Sequence, residues 1–279
     1  MRSEYKYLVP NEALPALRAR IAPFVSLDRH GRGFEERGYT VRSLYLDTVS
    51  LRYYHEKKAG INVRRKLRVR AYNHHKAGDW TFLEIKRKVG NKVTKNRAPV
   101  SYEDLGPLFA TGDVDRYIQP DGHYPDAHDD ARRFFYHVYR YNLRPTHLTV
   151  YEREAFLGRF DATLRVTFDR SLRGGSYPSL GEVYHEEGLR HVFPGHFILE
   201  VKYNTRFPAW LRSVLGQYGL RHRALSKYCL CAAVHKKQWD NKLTVLAKAS
   251  QLPATPPPTE APVHAPESLP LPTGSENPA

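Results

Sequence analysis

Between Lys66 and Tyr72 basic and apolar residues alternate: Lys66, Arg68, Arg70 and Tyr72 hold the even positions, Leu67, Val69 and Ala71 the odd ones. Successive side chains of an extended chain point to opposite faces, so the three cations share one surface. The same parity groups Arg2, Glu4 and Lys6; Glu84, Lys86 and Lys88; Tyr151 and Arg153; Arg165, Thr167 and Asp169; and Glu200 with Lys202. Arginine offers a planar fork to phosphate oxygens, lysine a mobile point charge, and a carboxylate can hold the divalent ion that accompanies a nucleotide. The set therefore suits phosphate chemistry. A solvated sheet face also alternates, but such faces mix Thr, Ser and Gln with charge, whereas these are enriched in Arg and in E-x-K pairs. If the sheet curls and closes, the polar faces converge on an interior that cannot stay dry and empty. Polyphosphate groups are the occupants that match it best.

The elements that must position these residues are mostly strands. Period-two alternation predicts them at Arg2–Val9, Thr40–Asp47, Lys66–Tyr72, Trp80–Lys88, His147–Phe156, Thr163–Asp169 and Phe197–Tyr203. Helical patterns lie between and after them. Asn11 can cap a segment with Leu14, Leu17 and Ile21 on one face; Asp129 or Asp130 opens a stretch through Tyr141; Pro208 stands at a first turn before Trp210, Leu211, Val214 and Leu215; and Ser226 can cap a helix to about Lys237. Arg29–Gly38, Gly106–Pro125 and Gly174–Gly181 read as loops or turns. The fold class expected is α+β, a closed antiparallel β-barrel with helices packed on its apolar exterior.

Charge narrows the partner. All 44 Lys and Arg precede Gln251, and three of the 29 acidic residues (Glu260, Glu267, Glu276) follow it, so the net +15 of the chain becomes +18 on residues 1–250. Such an excess calls for an anionic partner. Gln251–Ala279 also holds nine of the twenty prolines, including Pro256, Pro257 and Pro258, with few large apolar groups, and reads as a disordered tail. A folded domain over residues 1–240 precedes it. Met1 leads into charged sequence and no run of about eighteen apolar residues occurs, so neither a secretory signal nor a spanning helix is predicted, and a cytoplasmic location is expected. Cys229 and Cys231 stand alone, two apart, which excludes a disulfide framework and suggests buried helix packing. Among fourteen histidines, His185-Glu186-Glu187 lacks the second His of H-E-x-x-H, and His74-His75 falls in a predicted loop. There is no Walker-type phosphate loop, and Gly31-Arg32-Gly33 is too short for a dinucleotide fingerprint.

At these residues the sequence resembles the VTC (vacuolar transporter chaperone) domain, the polyphosphate polymerase branch of the triphosphate tunnel metalloenzymes. The matching pieces, in the family's order, are Glu4-Tyr5-Lys6-Tyr7, Arg42-Ser43-Leu44-Tyr45-Leu46-Asp47, Lys66 to Tyr72, Leu83-Glu84-Ile85-Lys86, Tyr151-Glu152-Arg153, Leu164 to Asp169, Leu199-Glu200-Val201-Lys202 and Ser226-Lys227-Tyr228. The resemblance implies an antiparallel tunnel in which the terminal phosphoryl group of ATP passes to a growing inorganic polyphosphate chain, with Mn²⁺ or Mg²⁺ as cofactor. It places Lys6, Arg68, Arg70, Lys86, Lys95, Tyr151, Arg153, Arg165, Lys202, Ser226 and Lys227 on the phosphates, with Arg97 a rival to Lys95. Arg68, Arg70, Lys86, Arg165 and Lys227 are the residues it implies for catalysis, and Glu200 for the metal. One departure concerns the start: related triphosphatases carry E-x-E-x-K, whereas this chain reads Arg2-x-Glu4-x-Lys6. Losing the first carboxylate favours the polymerase-like branch over hydrolysis, and leaves Glu4 either to touch metal or to pair with a neighbouring base.

Phosphoryl transfer asks mainly for positioning and charge stabilisation, and a phosphate acceptor is already anionic at neutral pH, so a strong general base is not needed. The competing expectations are a tunnel-type triphosphatase acting on inorganic triphosphate or a nucleotide, and a non-catalytic polyphosphate-binding module. Nucleic acid is not expected, because the cations lie in alternating strand positions and no aromatic ribonucleoprotein motif occurs.

Overall fold

The alternating segments pair into one antiparallel sheet. The computed structural model describes residues 2–28, 38–90, 92–120 and 122–234. Its strands are β1 (Ser3–Pro10), β2 (Val25–Leu27), β3 (Tyr39–Asp47), β4 (Val63–Tyr72), β5 (Trp80–Val89), β6 (Lys92–Ser101), β7 (Arg144–Gly158), β8 (Arg165–Ser176), β9 (Arg190–His191) and β10 (His196–Tyr203). The main path runs β1-β10-β8-β7-β3-β4-β5-β6, with β2 added beside β7 and β9 beside β8. Helices α1 (Leu14–Ile21), α2 (Arg52–Lys58), α3 (Tyr102–Thr111), α4 (Val114–Tyr117), α5 (Ala127–Arg140), α6 (Ala209–Gln217) and α7 (Lys227–Val234) complete an α+β fold. Among the described residues no ladder joins β1 to β6. The sheet nevertheless curls far enough for Lys86 on β5 to reach Glu4 on β1 at 3.7 Å, although five strands separate them along the path.

Parity decides where the core lies. Leu67, Val69, Ala71, Leu83, Ile85, Ala98 and Val100 share the outer face of β4, β5 and β6, and Phe134, Phe135 and Val138 of α5 seal it. On the other half, Val166, Phe168, Leu199 and Val201 meet Leu14, Leu17 and Ile21 of α1 and Leu211 and Leu215 of α6. The charged members of the same strands are thereby left facing inward. Burial on this scale, at roughly 25 cal/mol per Å² of apolar surface, is what holds the curl against charge repulsion on the inner side.

All seven predicted strands form, with shifted ends. The predicted start at Thr163 gives way to a turn, because the Thr163 amide and hydroxyl both donate to Asp161 Oδ1 (2.8 and 2.7 Å). β8 instead continues to Ser176, which corrects the reading of Gly174 as part of a turn. A Cβ at Gly174 would lie 2.4 Å from Cys231 Cβ, so this glycine permits close contact with α7. Cys231 is fully buried and Cys229 nearly so, as helix packing predicts.

The loop expected over Gly106–Pro125 is also corrected: α3 and α4 occupy much of it. Gly106 and Pro107 argue for a loop by propensity, but burying Leu105 and Leu108 outweighs them, and Ser101 caps the first turn by accepting from the Glu103 amide. β6 escaped the alternation because its first four residues are exposed and Pro99 interrupts it, as suits an edge strand. Asn11 does not cap α1; it sits in a 3-10 turn, and its amide donates to Gly195 O (2.8 Å). α5 opens at Ala127, two residues before Asp129, which puts Asp129 and Asp130 in its first turn. Pro208 precedes α6 as its N-cap. The predicted boundary at residue 240, the tail Gln251–Ala279, the end of the last helix at Lys237 and nearly all of the predicted loop Arg29–Gly38 lie outside the described residues.

Candidate functional site

Three buried carboxylates of the inner face, Glu84, Asp169 and Glu200, are each ringed by cations. Glu84 on β5, 1% exposed, receives Arg68 Nε (2.7 Å) and Lys95 Nζ (2.6 Å), with Arg97 Nε at 3.4 Å and Arg70 Nε at 3.7 Å. Burial alone would raise its pKa, but Arg68, Arg70 and Lys95 hold it well below the carboxylate range. Asp169 on β8 takes a bidentate pair from Arg153 (2.6 and 2.9 Å) and Lys227 Nζ at 2.5 Å. Glu200 on β10 takes Lys202 at 2.6 Å, with Lys6 and Lys227 each at 3.7 Å. Both stay ionised despite burial, because Arg153 and Lys227 face Asp169, while Lys202, Lys6 and Lys227 face Glu200.

Glu4 lies diagonally across the β1/β10 ladder from Glu200. It pairs with Lys6 at 2.5 Å and with Lys86 at 3.7 Å. Burial and Glu200 would raise its pKa, yet Lys6, Lys86 and Lys202 bring it down to about 2. Lys6 also donates to Leu225 O (3.2 Å). Arg165 turns toward the rim, where it meets Asp28 (3.0 Å) and the Tyr39 hydroxyl (3.3 Å). Tyr151, 3% exposed, presents its ring to Arg153 Cζ at 5.2 Å and to Lys227 Nζ at 4.7 Å. Thus the residues singled out from the sequence converge on one surface, with Arg165 standing at its edge.

A second pattern is visible only once β6 is in register. Lys66, Lys86 and Lys95 stand opposite one another on β4, β5 and β6, three like charges in one cross-strand row. Directly opposed like charges destabilise a sheet. Among the described residues Lys66 has no carboxylate within ion-pair distance; its Nζ donates to Ser226 Oγ (2.7 Å) and lies 5.9 Å from the Tyr228 ring centre. Burial, reinforced by Lys6, Lys86 and Lys57 and opposed only by Cys229, pushes it down to about 7. Lys86 is likewise pushed down, to about 8, by burial together with Lys6 and Lys202, against the pull of Glu4 and Glu200. Burial lowers Lys95 too, although Glu84 works against it. Lys66, Glu84 and Asp169, which strand parity places on this face, are absent from the residues that the resemblance assigns to phosphate or metal; each shares its strand face with assigned ones.

α7 closes one end of this surface. Its Tyr228 hydroxyl donates to Asp47 Oδ2 (2.5 Å), while the amides of Tyr53 and Tyr54 at the start of α2 donate to the same carboxylate (2.9 and 3.0 Å). Ser226 caps α7 by accepting from the Cys229 amide (3.3 Å), as predicted. Beyond Lys6 and Glu200 the inner face turns apolar, and Leu8 and Ile198 pack with Tyr151, Leu225, Leu230 and Cys231. Lys227 is therefore delivered to Asp169 and Glu200 by a helix seated on an apolar floor.

The donor set also bears on a divalent ion. Mg²⁺ characteristically binds one or two carboxylates together with substrate phosphates and keeps several waters. Glu200 and Glu4, both ionised and diagonal to one another, are the two carboxylates here that could hold such an ion together with substrate phosphates.

Comparison with known proteins gives the family of the chain. A curated relative, vacuolar transporter chaperone complex subunit 4 of Trypanosoma brucei brucei, is 24% identical over 259 aligned positions, covering 77% of this chain and 32% of the relative. The chain thus spans about a third of that protein's length. Two solved structures align over most of the chain: protein PH1819 of Pyrococcus horikoshii (14% identity, TM-score 0.40, 82% of this chain and 97% of that one) and a putative adenylate cyclase of Vibrio parahaemolyticus (12% identity, TM-score 0.41, 83% and 98%). The profile of the VTC domain matches residues 1–236, so the chain belongs to the VTC-domain family.

Proposed function

We propose that this chain is an ATP-dependent polyphosphate polymerase, moving the terminal phosphoryl group of ATP onto an inorganic polyphosphate chain inside a closed, tunnel-like sheet. The observation that carries the reading is the row Lys66, Lys86 and Lys95 beside Arg68 and Arg70, facing Lys6, Lys202, Lys227 and Arg153 across the curl. Two cationic walls separated by ionised carboxylates suit a linear polyanion, in which every phosphate can meet a donor. Arg68 and Arg70 would hold transferring phosphate oxygens, Lys227 and Arg153 the opposite side, and Arg165 the entry. Glu200, with Glu4, would hold Mn²⁺ or Mg²⁺, which when bound neutralises phosphate charge. The residues themselves orient donor and acceptor in line and exclude water. The starting motif Arg2-x-Glu4-x-Lys6 supports transfer over hydrolysis.

Incubating the purified protein with ATP and Mn²⁺ and resolving products on a gel tests the reading. Long-chain polymer is expected; free phosphate alone would assign a tunnel-type triphosphatase, and no turnover with tight polyphosphate binding a non-catalytic module. Glu200→Gln is expected to lose Mn²⁺ binding in calorimetry and polymer synthesis together. Retained metal stimulation in that variant would remove Glu200 from the metal site.

Proton linkage gives a second check. Burial holds Lys66 and Lys86 below the usual lysine range, and a polyanion beside them favours their charged forms. Tripolyphosphate binding should therefore take up on the order of one proton from solution and tighten as pH falls from about 9 to about 7. Calorimetry in buffers of different ionisation enthalpy reads this directly. Lys66→Met should cut the uptake; equal uptake in both proteins would disprove the role of Lys66.

A further inference from the structure

The outer face of the same strands holds a second basic cluster that the reaction does not use. Arg65 on β4 and Arg87 on β5 have the opposite parity to Lys66 and Lys86, so they point away from the inner surface. They are directly opposed in the ladder. Together with Arg132, Arg133, Tyr136 and His137 of α5 they line a cavity of about 640 Å³. Only Arg132 is neutralised, by Asp115 (2.6 Å) and Asp129 (3.5 Å). Among the described residues Arg65, Arg87 and Arg133 have no carboxylate within ion-pair distance. The nearby Asp130 is engaged elsewhere, accepting from Asn96 Nδ2 (2.6 Å) and the Arg97 amide (2.7 Å).

Two features set this apart from an ordinary solvated patch. Opposed arginines on neighbouring strands repel, and a bound anion would relieve that repulsion. His137 Nδ1 is buried without a hydrogen-bond partner, beside these guanidiniums and at the edge of the cavity. Its imidazole is kept below its usual pKa by burial together with Arg65 and Arg87. The volume lies within the range of small-ligand sites. Guanidinium groups bind phosphate oxygens in bidentate fashion, and three unpaired ones match a ligand with more than one phosphate group better than a monovalent anion.

We infer that the outer face of β4 and β5, under α5, is a second anion site that binds an oligophosphate chain through Arg65, Arg87 and Arg133. The site stands independently of any reaction on the inner face. An oligophosphate can be inorganic or the tail of a nucleotide, and the two are separated by the ligands used.

Equilibrium dialysis of labelled tripolyphosphate against the whole chain at physiological ionic strength tests it. Two classes of site are expected in the wild type, one of them lost in Arg87→Ala/Arg133→Ala and the other in Arg68→Ala. The outer site should weaken by at least about tenfold in the double variant, since charged hydrogen bonds are removed. Arg87 and Arg133 are exposed, so circular dichroism should show an unchanged fold. Displacement from the outer site by ATP but not by AMP would support recognition of a phosphate tail, whether or not the inner face proves catalytic. Binding in the double variant indistinguishable from wild type would overturn the site. So would displacement by sulfate as effective as by tripolyphosphate at equal ionic strength, or per-phosphate competition won by single-stranded RNA, which would make the patch a nucleic-acid surface.

Discussion

Glu84→Gln should melt about 10 °C below the wild type, because it removes the one anion among Arg68, Arg70, Lys95 and Arg97. Breaking a buried ion cluster from one side costs about 3–5 kcal/mol, far more than any surface pair, because the remaining charges stay desolvated without compensation. The pH dependence has a definite sign. Glu84 has a folded pKa well below its unfolded value, so its contribution is complete above the ordinary carboxylate range and is lost as pH falls through the folded pKa. The gap between wild type and variant should therefore be widest near neutrality and shrink in acid. Tripolyphosphate should restore more melting temperature to the variant than it adds to the wild type, since the polyanion replaces the missing charge. Thermal melts with and without tripolyphosphate measure both effects; equal melting temperatures would show that Glu84 is not the hub the distances indicate.

Arg68→Ala is expected to lower ATP-dependent polymer synthesis by roughly 100- to 1,000-fold, the usual cost of removing one preorganised donor to a transferring group. The fold should survive, because Glu84 keeps Lys95 at 2.6 Å and Arg97 at 3.4 Å after the guanidinium is gone. That separates Arg68 from Glu84, its own partner: one variant loses activity with stability retained, the other loses stability first. Loss of kcat with KM little changed would place the Arg68 contact in the transition state, and a rise in KM alone would place it in binding. Full synthesis by Arg68→Ala would refute the assignment. Arg165→Ala shares the expected outcome from the rim, where its present partners are Asp28 and Tyr39.

Parity made much of this molecule legible in its sequence. A strand that hides Leu67, Val69 and Ala71 must present Lys66, Arg68 and Arg70 together, and no tertiary information is needed to see it. What parity cannot supply is the neighbour across the ladder. The Lys66–Lys86–Lys95 row depends on the register of β6, whose exposed, proline-interrupted sequence gives no periodic signal. The depressed pKa of Lys66 comes first from burial in the folded sheet and then from Lys6, Lys86 and Lys57, which come from β1, β5 and α2. α3 was hidden for a different reason: Gly106 and Pro107 speak locally for a loop, and only the packing of Leu105 and Leu108 overrules them. The outer arginines carried no signal either, since Arg65 and Arg87 interrupt otherwise apolar positions of their strands.

The opposed lysine row has a consequence for the life of the protein in a cell. A chain that stores repulsion in its empty state is least stable when phosphate chains and nucleotide are scarce, and each bound polyanion adds both the mass-action term and relief of that repulsion. Proteolysis samples the opened state in proportion to its population. On the function proposed above, abundance of this chain should follow the supply of phosphate chains and nucleotide, rising in phosphate-rich cells and falling under starvation, with transcription held constant.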